Sequence, residues 1–321
     1  MRYFLICNPG SRHGVSKGKF ERIFILFRQN NLEYECKIIN SLQEAEDLSS
    51  MANRNGYDVV VAIGGDGTIN RVLNGFFNQA GGRISAAALG IIYTGTSPDF
   101  CKSYNIPIEI EPAVKILAAD KRVSIRVGRI SYAKSPVTQL PSPKAISEKR
   151  DQHTAYFGCC ANIGLGATLA RYANGGIRKY LGDSAGTFFS LLRTLACYQP
   201  VDLIVQTDGC CKNLNQVHNI SIGRTTWLAS GIKVHNDLKA DEPRFYSLAV
   251  HSLKMHRLPM ILKAIYSGKP IVSSQSITFE YAEVLQIDGP HSVEVEFDGD
   301  PAGYLPCRIE PAKDLLDLVV L

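Results

Sequence analysis

The sharpest chemical signal in this 321-residue sequence is the run from Val59 to Asn70, VVVAIGGDGTIN. Gly64, Gly65 and Gly67 surround one carboxylate, Asp66, and Thr68 closes the turn. Glycines let a backbone approach an anion with no Cβ in the way. Successive N–H groups ahead of a helix add positive partial charge, so the turn suits a phosphate. A carboxylate repels phosphate by itself, and Asp66 therefore calls for a magnesium ion between it and the phosphate oxygens. The plainer alternative is a tight strand-to-helix turn with a capping aspartate. The segment from Gly10 to Lys17 lacks the residue order of a P-loop, and no G-x-G-x-x-G dinucleotide fingerprint occurs. Late in the chain, Asp298-Gly299 follows the alternating run SVEVEF and reads locally as a hairpin turn. Asp288-Gly289 is also read as a turn.

The elements that must hold these residues follow from periodicity. Tyr3–Cys7 is a short apolar run, a buried strand, ended by Asn8-Pro9-Gly10. Phe20, Ile23, Phe24 and Phe27 recur at helical spacing. Tyr34–Ile39 is a second strand, and Ser41 with Glu44 forms a capping-box pattern for the next helix. Asp58–Ile63 and Ala86–Ile92 are apolar on both faces, as parallel strands tend to be. A helix starts near Thr68, and Gly95-Thr96 breaks the fourth strand. Strands and helices thus alternate over the first ~120 residues, predicting an α/β fold with an open, mostly parallel, doubly wound sheet. In such sheets ligands bind beyond the carboxyl ends of the strands, where all three glycine-bearing breaks fall.

Beyond Arg122 the texture changes. Residues 123–130 alternate with period two, as one strand. Residues 133–152 are rich in Pro, Ser, Lys and Gln and read as an exposed excursion. Tyr156–Ile163 reads as one strand, followed by helical stretches at Leu165–Tyr172 and Gly186–Tyr198. Short strand-like runs then recur to the end, interrupted by a helix near Leu258–Tyr266. The expectation is a β-rich, antiparallel, sandwich-like second domain. The division is 1–124 for the first domain and 125–310 for the second.

Composition narrows the class. The hydrophobic fraction is 45% and the formal net charge +5, with no basic block or stripe of a nucleic-acid-binding kind. Nine cysteines include no C-x-x-C pair, which argues for reduced thiols rather than a zinc ribbon or redox motif. No apolar run approaches the ~20 residues of a membrane span, so any membrane contact is expected to be peripheral.

Several motifs occur together and in order: N-P-G at 8–10, G-G-D-G-T-I-N at 64–70 with V-L-N-G at 72–75, G-T-x-x-D-F at 95–100, Asn162-Ile-Gly-Leu-Gly166-Ala167, and Phe297-Asp-Gly-Asp-Pro-Ala-Gly303. This ordered set resembles the diacylglycerol kinase catalytic domain and the related sphingosine kinase-like bacterial lipid kinases, over nearly the whole chain. The resemblance implies that Asn8, Pro9 and Gly64–Thr68 hold ATP and that Gly95 and Thr96 close on its phosphates. It implies that Asp66 and Asp99 place magnesium, with Asp241 a further metal ligand. Asp298 would orient or deprotonate a lipid hydroxyl, and residues 311–321 would return to the first domain. The sequence departs from the family at Tyr93 (usually proline), Ser97-Pro98 (usually G-N), Arg71 and Asp300 (commonly glutamate), and Asp241-Glu242-Pro243, where a D-G pair is usual.

The function implied is transfer of the γ-phosphoryl group of ATP, with Mg2+, to a hydroxyl of a membrane lipid such as diacylglycerol or a sphingoid base. The expected setting is cytoplasmic, transiently at the inner face of the membrane, with no nucleic-acid partner and with room for a homodimer. Two alternatives stay open: an NAD kinase-like enzyme, which shares G-G-D-G, and a degenerate member that binds nucleotide or lipid without turnover.

Overall fold

Short strands, buried at every residue in the two central ones and more exposed towards the sheet edges, alternate with amphipathic helices in the first half of the chain. The computed structural model describes residues 1–10, 18–78, 80–136, 152–172, 198–228, 232–253 and 267–321. The first-half elements are β1 (Arg2–Cys7), α1 (Phe20–Gln29), β2 (Glu33–Ile38), α2 (Leu42–Arg54), β3 (Val59–Gly64), α3 (Asp66–Asn74), β4 (Ala88–Tyr93), α4 (Asp99–Ser103), α5 (Ile110–Ala119) and β5 (Arg122–Ile125). The second half contains β6 (Gly128–Ala133), β7 (Gln152–Phe157), β8 (Cys160–Gly164), α6 (Leu165–Tyr172), β9 (Val201–Thr207), β10 (Cys210–Gly223), β11 (Trp227–Leu228), β12 (Ile232–Lys233) and β13 (Phe245–His251). It ends with β14 (Ile277–Ala282), β15 (Leu285–Asp288), β16 (Glu294–Phe297), β17 (Asp300–Pro311) and β18 (Leu316–Val319).

The first sheet runs β2-β1-β3-β4-β18-β5. Its first four strands and β18 are parallel, and β5 is antiparallel to β18. Both faces are apolar because both are covered. On one face α2 and α3 supply Ala45, Ala52, Ile69, Val72 and Leu73 against Phe4, Val60 and Leu89. On the other, α1 and α5 supply Phe20, Ile23, Phe27, Val114 and Leu117 against Tyr3, Val61 and Ile92. Ser41 caps α2, its Oγ accepting from the Glu44 N–H, while the Glu44 carboxylate reaches back one residue past the cap and accepts from the Asn40 N–H. The strand order reverses between β1 and β3, the switch point where such sheets open a crevice.

The second sheet has ten strands: eight in the path β14-β13-β10-β8-β16-β17-β15-β9, with β6 branching from β17 and pairing β7; β9 also pairs β10, closing the strands back on themselves around a separate core. Two long strands make this closure. The 14-residue β10 pairs β9 along its first half and β8 and β13 along its second. The 12-residue β17 pairs β16 first, then β15 and β6.

Two runs expected as single strands are divided. Residues 123–130 split between β5 in the first sheet and β6 in the second, because the chain crosses there between sheets. The Arg126 N–H donates to the Ala240 carbonyl at 2.7 Å and its guanidinium to the Ala312 carbonyl at 2.9 Å. Tyr156–Ile163 breaks at Gly158-Cys159, where added side-chain volume at Gly158 would strike Phe100. Leu165–Tyr172 is α6, whereas the helices expected at Gly186–Tyr198 and Leu258–Tyr266 fall almost entirely outside the described residues. No helix among the described residues is long and apolar enough to cross a membrane.

Candidate active site

Three loops converge at the carboxyl ends of β1, β3 and β4. Asn8, just past β1, receives its backbone tie by donating N–H to the Ile63 carbonyl at 2.9 Å, and its side-chain amide donates to Thr68 Oγ1 at 2.7 Å. Its side-chain oxygen accepts from the Gly10 N–H at 2.9 Å, bending the chain back around half-buried Pro9. Gly64 packs so closely that a Cβ there would lie 2.3 Å from Thr68 Oγ1. The turn at Gly65 meets the turn at Gly95 backbone to backbone. A Cβ on Gly95 would sit 2.5 Å from Gly65 Cα and 2.6 Å from the Tyr93 hydroxyl. Thr96 is exposed at the lip.

Asp66 opens α3, and its Oδ2 accepts from the Tyr93 hydroxyl at 3.0 Å. Its Oδ1 is buried with no hydrogen-bond partner. Burial pushes the Asp66 carboxyl up to about 7, opposed by the Tyr93 hydrogen bond and reinforced by the charges of Asp99 and Asp298. Asp99 begins α4 and is half-buried. The negative charges of Asp99 and Asp298 thus act on Asp66, whose one buried oxygen is unserved. That is the environment a divalent cation relieves, and Mg2+ binds through one or two carboxylates completed by phosphate oxygens and water. Among the described residues no group of three or more His, Cys, Asp or Glu side chains could hold a metal by itself. Asp66, Asp99 and Asp241 therefore do not form an all-protein site. Asp241 is exposed on the turn before β13, its backbone carbonyl accepting from Arg126 Nε at 3.4 Å.

From the second domain, the β16–β17 turn reaches α3. Asp298, at φ 50°, sits in the left-handed region that a tight turn needs. Its carboxylate accepts from the N–H groups of Gly158 (2.8 Å), Cys159 (2.9 Å) and Cys160 (3.2 Å) and from the Asn70 amide at 2.9 Å. Asn70 lies one helical turn beyond Asp66, so the two carboxylates flank the same end of α3. Burial raises the Asp298 carboxyl, and the Gly158 N–H, the Asn70 amide and the Cys159 and Cys160 N–H groups pull it back.

Four donors fill the lone pairs of one carboxylate. Asp298, expected to receive the hydroxyl proton, clamps the 158–160 loop to α3. The carboxylate aimed at the glycine turn is Asp300, two residues on. A Cβ on Gly67 would lie 2.8 Å from Asp300 Oδ2. Burial raises the Asp300 carboxyl, and the positive charge of Arg71, on the same face of α3 as Gly67, lowers it.

Further residues support this seam. Asn74 closes it with buried hydrogen bonds, its amide donating to the Tyr156 carbonyl at 2.9 Å and its oxygen accepting from the Tyr156 N–H at 2.8 Å. Glu296, 4% exposed, accepts from the Asn162 amide at 2.9 Å and from the Gly299 N–H at 2.9 Å, fixing the turn from below. Burial pushes the Glu296 carboxyl up to about 8. Sequence reasoning missed Tyr93, Asn70, Asn74 and Glu296 as site residues. The available signal was two asparagines at i, i+4 bordering the apolar stripe of α3, since buried amides need partners.

The comparisons agree with this architecture. The family model of the diacylglycerol kinase catalytic domain matches residues 2–130, and that of the YegS C-terminal NAD kinase beta sandwich-like domain matches residues 160–320. A protein named diacylglycerol kinase from Staphylococcus haemolyticus (strain JCSC1435) is 23% identical over 311 residues, covering 95% of this chain and 83% of that protein. One of the same name from Staphylococcus aureus (strain JH9) is 22% identical over 308 residues, covering 95% and 87%. A solved structure of a diacylglycerol kinase from Bacillus anthracis str. Sterne shares the fold, with TM-score 0.68 and 16% identity over 100% of this chain and 97% of that one. Another solved chain from the same organism gives TM-score 0.74 at 18% identity.

Proposed function

The chain belongs to the diacylglycerol kinase family, pairing that catalytic domain with a YegS-type β domain, and from this premise we propose that it is an ATP-dependent lipid kinase acting at the inner face of the membrane. Diacylglycerol is the first candidate acceptor and a sphingoid base the second. The observation that carries the reading is the meeting of the glycine turn at Gly64–Thr68 with the carboxylate-bearing β16–β17 turn across the domain seam.

In this reading the N–H groups of the glycine turn and of the first turn of α3 receive the phosphates, and Gly95 covers them from the β4 side. Tyr93 holds Asp66 through Oδ2 and leaves its buried Oδ1 available to a cation that would be bound there. The magnesium that Asp66 and Asp99 would share with the nucleotide supplies charge neutralisation of the phosphate oxygens. The lipid hydroxyl approaches from the second domain. Its oxygen bonds to the γ-phosphorus as the bond to the ADP oxygen breaks, and its proton passes to the Asp300 carboxylate. A loose transition state asks mainly for positioning, and a half-buried carboxylate with a raised proton affinity is a competent acceptor. Asp298 acts through the loop it clamps and is a positioning residue.

The test is incubation of the purified protein with γ-labelled ATP, Mg2+ and a panel of diacylglycerol, sphingoid base and NAD in mixed micelles. Label is expected on a lipid alcohol. Label on NAD with inert lipids would establish the NAD kinase-like alternative, and binding without transfer would establish a non-catalytic member.

A further inference from the structure

Trp227, the single tryptophan of the chain, stands at a second meeting of the two domains. It lies on β11 of the second domain, and its backbone N–H donates to Ser103 Oγ at the end of α4 in the first, at 3.1 Å. Two ammonium groups from different domains approach its indole. Lys102 Nζ, on α4, is 5.3 Å from the ring centroid, and Lys233 Nζ, on β12, is 5.7 Å. Gly268 lies next to this pair: a Cβ there would be 3.9 Å from Lys233 Cδ, and its carbonyl bonds the His235 ring. The segment beginning at Gly268 exposes Lys269 and Val272, the latter 77% accessible and the most exposed of the large hydrophobic residues described.

The charge of this patch is not balanced from within. Among the described residues, lysine ion pairs form at Lys37, Lys115 and Lys212 but not at Lys102, Lys233 or Lys269. A cation over an exposed indole is stabilised by only about 0.5–1 kcal/mol. Two ammoniums drawn to one ring also repel each other. A nearby anion offsets that repulsion.

We propose that Trp227, Lys102, Lys233 and Lys269, with the exposed Val272 on the same segment as Lys269, form a docking surface for the headgroup phosphates of an anionic phospholipid leaflet. Three features select a leaflet over a free phosphate. An indole half-exposed beside lysines has the amphipathic character that settles at the bilayer interface. Unpaired lysines are drawn to an anionic surface. An exposed valine gains by entering the acyl boundary, and a free phosphate offers it nothing. The inference deepens the lipid-kinase reading and rests on it for the orientation of the cleft towards the membrane. Binding across both domains would also hold α4, and with it Asp99, against the second domain at the membrane.

The experiment uses the emission of Trp227 in the intact protein, with no other tryptophan contributing. Vesicles of phosphatidylglycerol are expected to shift the emission to the blue, an effect that weakens as salt is raised. Pure phosphatidylcholine vesicles, ATP or inorganic phosphate should not produce the shift. In sedimentation with the same vesicles, Lys102→Ala and Lys233→Ala are each expected to weaken binding about fivefold. Both variants should keep wild-type transfer to a lipid in detergent micelles, where no anionic leaflet is present. An unchanged emission with anionic vesicles, the same shift with ATP or inorganic phosphate alone, or variants that sediment like wild type would each overturn the docking surface. Failure of micellar transfer in the wild-type protein would instead remove the kinase reading, and the vesicle result would stand separately.

Discussion

Asp66 shows how a single buried carboxylate couples stability to ligand binding. Burial raises its carboxyl to about 7, so between about pH 4 and 7 the folded chain holds a proton that the unfolded chain has released. Its contribution to folding is therefore complete below about pH 4 and is lost as pH rises through 7. Asp66→Asn should raise the melting temperature by a few degrees at pH 8 and leave it near wild type at pH 4, while magnesium-dependent nucleotide affinity falls. Thermal melts at the two pH values and titration calorimetry check this pair of outcomes. Asp298 behaves differently. Its oxygens accept from three backbone N–H groups and one amide, and an asparagine would set its own N–H against one of those donors. Asp298→Asn should cost about 1–3 kcal/mol in urea unfolding and lower turnover through the displaced loop. Loss of turnover with unaltered stability would return Asp298 to the chemistry.

At the scale of elements, the nucleotide end is two turns pressed together. Gly95→Ala would place a Cβ 2.5 Å from Gly65 Cα, and separating the turns should cost about 1–3 kcal/mol and weaken ATP binding by about tenfold or more. A melt and a binding isotherm read both. These turns were legible in the sequence because glycine at a strand end before a helix has few other uses, and β1, β3 and β4 were legible as unbroken apolar runs. The breaks at Arg126-Val127 and Gly158-Cys159 were not. Alternation continues across both, and what ends the strands is tertiary: the crossing to the second sheet, and the grip of Asp298 on the 158–160 loop. Periodicity also identified short β runs in the second half without revealing that β10 and β17 each bend to serve two parts of one closed sheet. The role of Tyr93 was hidden for a similar reason. A tyrosine ending an apolar strand reads as core, and only the fold turns its hydroxyl onto Asp66.

At the scale of the whole molecule, the two domains are joined by apolar and polar contacts together: Phe77 stacks on Tyr156 at 4.4 Å and Cys159 enters the core of the first domain beside a hydrogen-bonded seam. Asn70 and Asn74 on α3, the β16–β17 turn and the Gly158–Cys160 loop form one hydrogen-bonded seam. β18 returns to the first sheet between β4 and β5, so the chain crosses the seam twice. This arrangement sets a carboxylate of one domain against the glycine turn of the other, a meeting the ordered motifs of the sequence foretold for Asp298, whereas in the proposed reaction the proton passes to Asp300. The direct measurement is steady-state transfer from ATP to diacylglycerol by wild type and Asp300→Asn, with nucleotide affinity determined in parallel. A fall in kcat of about a hundredfold or more with ATP affinity within about twofold of wild type is the result predicted. Unchanged kcat in Asp300→Asn would contradict the account, because Asp300 would then not be the group that receives the proton.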